Sequence, residues 1–426
     1  MNHPLLVAYI DPGTGSMLFT ILVGVLGAGL YSARNALVKL RFLLSGGRTV
    51  QKEDKRLPYA IFSEGKRYWN VFGPICEEFE ARGVELHYLT ASPDDPALER
   101  GFQHVKPSFI GEGNRAFAKL NMLQADLLLS TTPGLDVYQW KRSRDVSWYV
   151  HVPHAGNDIV LYRMFGLDYY DAVLLSGDYQ IRQIRELETL RAIPAKELRL
   201  VGVTYMDRLR RRLAEAGPVP EHPTTVLLAP SWGKSAILSR FGDKMLDALL
   251  KSGYQIIVRP HPQSFVSEKE MMADLMARYP DSDRLQWNRD ADNFEVLRRS
   301  DILISDFSGV IFDFALVFDK PVLYADTSFD SAPYDACWLR EEKIWSFEIL
   351  PKIGMQLTEE GMDRLDDLVK TCLNDPRFQE GRDQARAETW VPMGGAAGRI
   401  ADYMIEKRAQ LLEGRSAAAE KGDGET

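Results

Sequence analysis

The 426-residue chain contains only three cysteines, and Cys76, Cys337 and Cys372 are far apart in the sequence. Three distant cysteines provide neither a disulfide framework nor the close spacing of a zinc site, and they suit a reducing compartment. The chain also lacks blocks dense in lysine and arginine, and its net charge is −8. Without such blocks we expect no continuous basic surface that could bind a nucleic-acid backbone, and therefore no nucleic-acid partner.

No uninterrupted apolar run reaches the roughly 20 residues that a membrane-spanning helix needs. The stretch MLFTILVGVLGAGLY, residues 17–31, carries no charge, and Arg34, Lys39 and Arg41 follow it within an amphipathic run. Basic residues after the apolar stretch predict that the bulk of the chain is cytoplasmic, whereas a signal peptide carries them before it. We expect residues 1–45 to anchor the protein at the cytoplasmic face of the cell membrane. A signal peptide or a buried helix remain as alternatives.

Apolar runs of strand length alternate with amphipathic helical patterns along the rest of the chain. This alternation predicts an α/β fold with parallel sheets and helices on both faces. The Pro-rich stretch AEAGPVPEHPTT is typical of a linker, which predicts two doubly wound, Rossmann-like domains facing a cleft. The predicted parts are an N-terminal domain at 55–216, a C-terminal domain at 224–410 and a disordered tail at 411–426. The ten predicted strands are 59–63, 84–90, 126–130, 147–152, 172–176, 198–201, 225–229, 254–259, 301–305 and 321–325.

The polar break SDFSG, residues 305–309, interrupts a long apolar stretch. It ends a predicted strand and opens a predicted helix, where free amides and the helix dipole bind anions readily. A phosphate site is therefore predicted, and a plain N-cap at Asp306 or Ser308 is the simpler alternative. The predicted donor-binding residues here are Ser305, Asp306, Ser308, Gly309 and, one turn later, Asp313. The carboxylate of Asp313 would either bind ribose hydroxyls of a nucleotide or pair with a neighbouring basic side chain.

Two other strand ends belong to the same predicted half. In IIVRPHPQS, residues 256–264, Arg259 can form a forked contact with a phosphate, and two prolines fix the position of His261. In LLAPSWGKS, residues 227–235, Ser231 and Trp232 follow a strand, and Trp232 either stacks on a base or lies in the core. Because the carboxyl ends of parallel strands meet at one edge, the three loops together predict a pocket for a nucleotide diphosphate.

Histidines in SWYVHVPHAGNDI mark the predicted N-terminal half. His151 lies in an apolar strand and is typical of a core residue, whereas His154 follows the strand and suits a general base better. The sequence does not decide between them. An HxxH pair also suits a metal, but no third ligand stands nearby, so we expect none. Glu64 and Gly65 stand in the turn FSEGKRY, which we expect to face the cleft and bind an acceptor, although a plain turn is an equal alternative. Asn157, which follows His154, is also expected to bind the acceptor.

Several of these motifs resemble the CDP-glycerol glycerophosphotransferase family of teichoic-acid enzymes. RPHP at 259–262, SDFS at 305–308, DFA at 313–315 and KPV at 320–322 match that family's pattern between about residues 225 and 326. The segment HVPHAGN differs from the HGTP motif of well-known members. The assignment of His154 as the base therefore rests on its position after the strand more than on a motif. The resemblance implies a GT-B-like fold, no cofactor, donor phosphates bound by Arg259, His261, Ser305 and Ser308, and a histidine base.

The expected activity is transfer of a polyol phosphate, most simply glycerol phosphate, from a CDP-linked donor. The acceptor would be a hydroxyl of a membrane-bound glycan or lipid, with His154 and His261 as catalytic residues. A GT-B glycosyltransferase or a UDP-sugar 2-epimerase-like enzyme is the alternative on the same scaffold. A nucleotide-binding protein without transfer activity is a third.

Overall fold

The computed structural model describes residues 56–290, 292–306, 308–325 and 330–422. The predicted anchor at residues 1–45 lies outside the described residues, as does Phe307. In the described ranges no helix is long and apolar enough to cross a membrane. All features reported below belong to the unit that comprises residues 56–426.

Seven parallel strands form the first sheet. The strands are β1 Leu57–Ser63, β2 Leu86–Thr90, β3 Val105–Phe109, β4 Ala125–Ser130, β5 Val146–His151, β6 Ala172–Leu175 and β7 Glu197–Leu200. Their order is β3-β2-β1-β4-β5-β6-β7. The central strand β4, ADLLLS, is buried along its whole length, as its three consecutive leucines favour in a sheet covered on both faces. The helices of this half are α1 Trp69–Ala81, α2 Asn114–Leu120, α3 Asp178–Arg191 and α4 Thr204–Ala216.

Six parallel strands form the second sheet. The strands are β8 Thr225–Leu228, β9 Gln255–Val258, β10 Leu285–Trp287, β11 Ile302–Ser305, β12 Val322–Ala325 and β13 Gly354–Leu357. Their order is β10-β9-β8-β11-β12-β13. The helices that follow are α5 Ile237–Ser252, α6 Ser264–Ser267, α7 Lys269–Arg278, α8 Phe294–Arg299, α9 Val310–Phe312 with a π-helical turn at Asp313–Val317, α10 Trp345–Ile353, α11 Leu365–Asn374, α12 Arg377–Thr389 and α13 Ala396–Gly422.

The strand order reverses beside the first strand of each sheet. In the second sheet, β8 pairs with β9 on one side and with β11 on the other. Ligands of open parallel sheets bind at such a switch point, beyond the carboxyl ends of the strands. Two of the predicted pocket loops follow β8 and β11, so the topology brings them together at the switch point.

The predicted fold class is confirmed, because two doubly wound parallel sheets are present. All ten predicted strands exist, with ends that differ by one or two residues. The prediction missed three edge-side strands, β3, β10 and β13. The segment VKPSF in β3 contains a proline and is largely exposed, and β10 has only three residues, so neither shows a clear apolar run.

The last helix, α13, returns to the first sheet. Ile400 and Met404 are fully buried in the same apolar cluster as Ile75 and Phe79 of α1. This differs from the predicted C-terminal domain at 224–410 and the predicted disordered tail at 411–426, because α13 packs on the first half and continues to Gly422. The helix formers Ala, Glu, Leu and Arg in this segment permit the helix, although its composition alone resembles a disordered tail.

Asp158 joins the two halves of the described structure. Its buried carboxylate accepts hydrogen bonds from the backbone amides of Trp345 and Ser346, both at 2.8 Å, and so caps α10 of the second half. Beside it, the rings of Tyr179 and Trp345 stack with centroids 4.8 Å apart. A buried cap and an aromatic stack therefore connect the helices that border the cleft.

Candidate active site between the two sheets

Ser305 and Asp306 end strand β11 and are almost completely buried. The Ser305 hydroxyl donates to the carbonyl of Ala229 at 2.6 Å. The Asp306 carboxylate accepts from the amides of Ser231 at 2.7 Å and Ile237 at 3.0 Å. The sequence predicts that both residues bind a donor, whereas the structure places their polar atoms in bonds that fix the loop after β8.

Ser308, Gly309 and Asn157 lie closer to open space. Ser308 and Asn157 line one cavity of about 250 Å³, although they come from opposite halves of the chain. A Cβ atom added to Gly309 would meet no atom within 4 Å, so the space beside this backbone is free. The start of α9 is thus accessible to a ligand, and the predicted acceptor residue Asn157 borders it.

Arg259 follows β9, and its guanidinium is held by the loop after β10. Nη1 donates to the Asn288 side-chain oxygen and Nη2 donates to the Asp290 carbonyl at 2.9 Å. Both acceptors are neutral, and no ion pair of Arg259 occurs within the described residues. Burial lowers the pKa of Arg259, while the charges of Asp290 and Asp292 oppose this shift. The result is an oriented cation at the carboxyl edge of the second sheet.

His261 and Trp232 lie next to each other at the same edge. His261 Nδ1 accepts from the Gln263 amide at 3.1 Å, so the neutral ring carries its proton on Nε2. Burial, and then the charge of Arg67, lower the pKa of His261. The Trp232 ring lies 6.4 Å from the His261 ring and is 51% exposed, so Trp232 is not a core residue. His261 therefore presents an N–H donor beside an exposed aromatic face.

His154 lies on the first half, in the loop after β5. Its Nδ1 is 3.4 Å from the Thr131 hydroxyl, and its ring packs against Tyr68 and Tyr162 at 5.5 Å and 6.1 Å. Burial, and then the nearby charge of Arg67, lower the pKa of His154 to about 4. The imidazole is therefore neutral at pH 7, as a general base requires.

His151 is a different kind of residue from His154. It is fully buried at the end of β5, and its Nε2 lies 3.3 Å from the Tyr162 hydroxyl. Burial, followed by the charge of His154, lowers the pKa of His151 to about 3. A substrate cannot reach this ring, so the geometry favours His154 among the two candidates that the sequence left open.

Arg67 was missed by the sequence analysis, although it belongs to the turn that contains Glu64 and Gly65. Its charge lowers the pKa of His154 in one half and of His261 in the other, so Arg67 acts on both candidate catalytic residues. Glu64 accepts a hydrogen bond from Thr132 at 3.3 Å, and Gly65 has an extended backbone. The motif FSEGKRY could have indicated Arg67, because a cation at a strand-to-helix turn suits an anionic ligand.

Asp313 lies in the π-helical turn after α9. The Tyr205 hydroxyl of α4 donates to its carboxylate at 2.9 Å. Burial raises the pKa of Asp313 to about 7, and the Tyr205 hydrogen bond opposes this shift. The partner of the Asp313 carboxylate is thus a tyrosine hydroxyl from the other half, rather than a basic side chain. Among the described residues no group of His, Cys, Asp and Glu side chains could hold a metal ion.

Comparison with known proteins identifies the region that carries these loops. Residues 199–339 match the family model described as CDP-glycerol:poly(glycerophosphate) glycerophosphotransferase, which confirms the resemblance seen in the motifs. A curated relative, the teichoic acid glycerol-phosphate primase of Bacillus spizizenii, is 28% identical over 197 residues. This match spans 44% of the chain and 45% of the relative.

Solved structures with a similar fold cover more of the chain. A histidine-to-asparagine variant of the wall teichoic acid polymerase TagF, soaked with CDPG, has a TM-score of 0.55 and 16% identity, covering 90% of this chain and 99% of that one. A putative UDP-N-acetylglucosamine 2-epimerase from Listeria monocytogenes has a TM-score of 0.51 and 14% identity, covering 81% and 94%. At these identities the structures show the fold alone.

Proposed function

We propose that this chain, whose residues 199–339 match the glycerophosphotransferase model, is a CDP-glycerol-dependent phosphotransferase. It would transfer glycerol phosphate, or a related polyol phosphate, to a hydroxyl of a glycan or lipid acceptor during synthesis of a cell-envelope polymer. The observation that carries the proposal is that the charge of Arg67, an exposed residue of the first half, lowers the pKa of both His154 and His261. A cation that acts on candidate proton-transfer groups of both halves suits a phosphoryl group that passes from one half to the other.

Donor binding is assigned to the carboxyl edge of the second sheet. Arg259 and the Nε2–H of His261 would donate to the diphosphate, and the backbone amides of Ser308 and Gly309 would bind its remaining oxygens. Trp232 would stack on the cytosine ring. Ser305 and Asp306 act indirectly in this proposal, because their bonds to the loop after β8 hold Trp232 in place.

The reaction is a displacement at the phosphorus that bears the glycerol. The acceptor oxygen forms a new bond to this phosphorus, and the bond to the bridging oxygen of the diphosphate breaks. Cytidine monophosphate leaves with the bonding electrons, and His154 takes the proton of the acceptor hydroxyl. Arg259 and His261 stabilise the negative charge that develops on the leaving group, so no metal is needed for charge neutralisation.

A membrane-borne acceptor is part of the proposal. The apolar stretch at 17–31 and the basic residues after it support anchoring at the cytoplasmic face, but both lie outside the described residues. An anchor would keep the cleft near a lipid-linked acceptor and raise its local concentration.

Calorimetric titration of the full-length protein in detergent with CDP-glycerol, CDP, UDP and UDP-N-acetylglucosamine tests the donor assignment. We expect cytidine-selective binding that weakens at least tenfold in Arg259→Ala, while Arg377→Ala, an exposed arginine in α12, binds like wild type. Uridine-selective binding would favour the glycosyltransferase or epimerase alternative. If the protein binds CDP-glycerol but never releases cytidine monophosphate, it is a binding protein instead.

A further inference from the structure

Thr131 and His154 follow neighbouring strands of the first sheet. Strands β4 and β5 pair in parallel, and Ser130, the last residue of β4, lies opposite His151, the last residue of β5. Their carboxyl ends therefore share one edge of the sheet, and the residues that follow them meet there. The Thr131 hydroxyl lies 3.4 Å from Nδ1 of His154. The topology thus places a hydroxyl beside the candidate base.

The turn that contains Thr131 is fixed on both sides of this residue. The Ser130 hydroxyl donates to the Phe62 carbonyl at 3.2 Å and accepts from the Thr132 amide at 3.1 Å. The Thr132 carbonyl in turn accepts from the Tyr170 hydroxyl at 2.6 Å. Thr131 itself is fully buried. Its hydroxyl therefore has a defined position, as a group that orients a catalytic side chain requires.

The two ring nitrogens of His154 have different surroundings. Nδ1 faces the Thr131 hydroxyl, which is its hydrogen-bond partner within the described residues. Nε2 has no such partner in the described ranges, and this atom is not buried. The rings of Tyr68 and Tyr162 pack against the imidazole. The ring is therefore held through Nδ1 and its faces, while Nε2 remains open to a substrate.

No carboxylate bonds to the ring of His154 within the part of the chain that the structure describes. The charge that acts on it is that of Arg67, from the turn after β1, and the neighbouring His151 is neutral at pH 7. Glu64, from the same turn as Arg67, accepts from Thr132 rather than from the histidine. Catalytic triads place a carboxylate at Nδ1 of the histidine base. Here a neutral hydroxyl occupies that position.

We propose that Thr131 is the positioning residue of His154, and that its hydroxyl accepts a hydrogen bond from Nδ1–H. The lone pair of the neutral ring then lies on Nε2. In the reaction the acceptor hydroxyl gives its proton to Nε2, while the proton on Nδ1 stays there and remains bonded to Thr131. The bond is long in the free protein, and such bonds tighten when substrate binds. This inference rests on the proposed phosphotransfer, because it names the residue that orients the base of that reaction.

NMR reads directly which nitrogen of His154 carries the proton. Full-length protein in detergent, labelled with nitrogen-15 histidine, is measured at pH 7, and His154→Gln identifies the signals of His154. We expect the proton on Nδ1 in wild type and in Thr131→Ser. In Thr131→Val it should move to Nε2, because a proton on Nδ1 would have lost its acceptor. Thr371→Val, which replaces an exposed threonine of α11, should match wild type.

Turnover supplies a readout that a purely structural role would not change. Thr131→Val should lower kcat about 10- to 100-fold with an unchanged Kd for CDP-glycerol, and Thr131→Ser should retain most of kcat. Thr131→Asp places a carboxylate at Nδ1, so the acidic limb of kcat/KM should move up by about 1 to 3 pH units. Release of cytidine monophosphate measures these effects, and NMR titration of His154 reads the same shift without turnover.

Two results would overturn the inference. A wild-type ring protonated on Nε2 would mean that Thr131 donates to Nδ1, and an unchanged titration of His154 in Thr131→Asp would mean that the two side chains do not interact. In either case, normal release of cytidine monophosphate by wild type would leave the proposed function standing. If NMR gives the expected pattern but wild type never releases cytidine monophosphate, the proposed phosphotransfer fails and the orientation of His154 by Thr131 stands.

Discussion

The hydroxyl of Tyr205 donates to the carboxylate of Asp313 across the boundary between the two sheets, at 2.9 Å. Tyr205 lies at the start of α4, and Asp313 opens the π-helical turn after α9. π-Helical turns are rare and are frequently found at functional sites. This hydrogen bond links the helix that follows the first sheet to the segment that contains the predicted phosphate-binding turn. Its strength depends on the protonation of Asp313, because a carboxylate accepts more strongly than a neutral carboxyl group.

Asp313 should make stability decrease as the pH rises. Its pKa is about 7 in the folded protein and near 4 in an unfolded chain, so the folded state holds the extra proton between these values. Stability is therefore lost as the pH rises from about 4 to 7, and Asp313→Asn should remove this part of the pH dependence. Urea unfolding midpoints at pH 5 and pH 8 measure the effect. Asp283→Asn, an exposed control, should behave like wild type, and an unchanged pH dependence in Asp313→Asn would contradict the prediction.

Replacing His154 should strongly reduce turnover without affecting donor binding. We expect His154→Gln to reduce kcat by roughly 10² to 10⁴, the usual contribution of a general base. Release of cytidine monophosphate gives kcat, and calorimetry gives the Kd for CDP-glycerol. Because the pKa of His154 is about 4 without ligand, wild-type kcat/KM should fall only below about pH 5 on the acidic side. Normal turnover in His154→Gln would reject this base, and the exposed His222→Gln serves as the matched control.

His151 should destabilise the protein in acid. The folded pKa is about 3 and the unfolded value is near 6.5, so the unfolded chain takes up a proton that the buried ring cannot. Stability should therefore fall as the pH drops from about 6.5 toward 3. His151→Phe cannot titrate, and its unfolding midpoint should decline less between pH 7 and pH 5 than that of wild type. A parallel decline in both proteins would show that His151 is not the cause.

Asp306 should act through the loop after β8. Asp306→Asn keeps the shape but replaces one acceptor oxygen with an amide group that faces a backbone N–H. Loss of one charge-assisted hydrogen bond should destabilise the protein by about 1.5–3 kcal/mol. Because Trp232 lies in that loop, the Kd for CDP-glycerol should rise while kcat at saturating donor changes little. Thermal unfolding and titration check both effects, and a loss of kcat alone would instead argue for direct catalysis.

The sequence was sufficient for the architecture and for the location of the pocket loops. Strands such as β11 are continuous apolar runs that end at polar residues, and parallel topology requires their carboxyl ends to share an edge. The sequence did not show which polar side chains of a pocket loop point into the sheet and which point toward the open space. Ser305 and Ser308 have the same side chain, yet one bonds to Ala229 inside the sheet and the other lines a cavity.

Contacts between the two halves could not be predicted from the sequence. The Tyr205–Asp313 hydrogen bond joins residues 108 positions apart, and the influence of Arg67 on His261 crosses the cleft. Such contacts depend on how two separately patterned units pack, and neither hydrophobic periodicity nor turn chemistry contains that information.

The return of α13 to the first sheet has a consequence for biosynthesis. Domains generally fold as units while the chain leaves the ribosome, N-terminal first. Here the first half completes its apolar cluster only when Ile400 and Met404 arrive, after the whole second sheet has been translated. Arg408 and Arg415 then bind Asp126 at the start of β4. During synthesis the first half therefore keeps an apolar face exposed until α13 has been translated. A fragment that stops before residue 396 should be a target for chaperones and proteases.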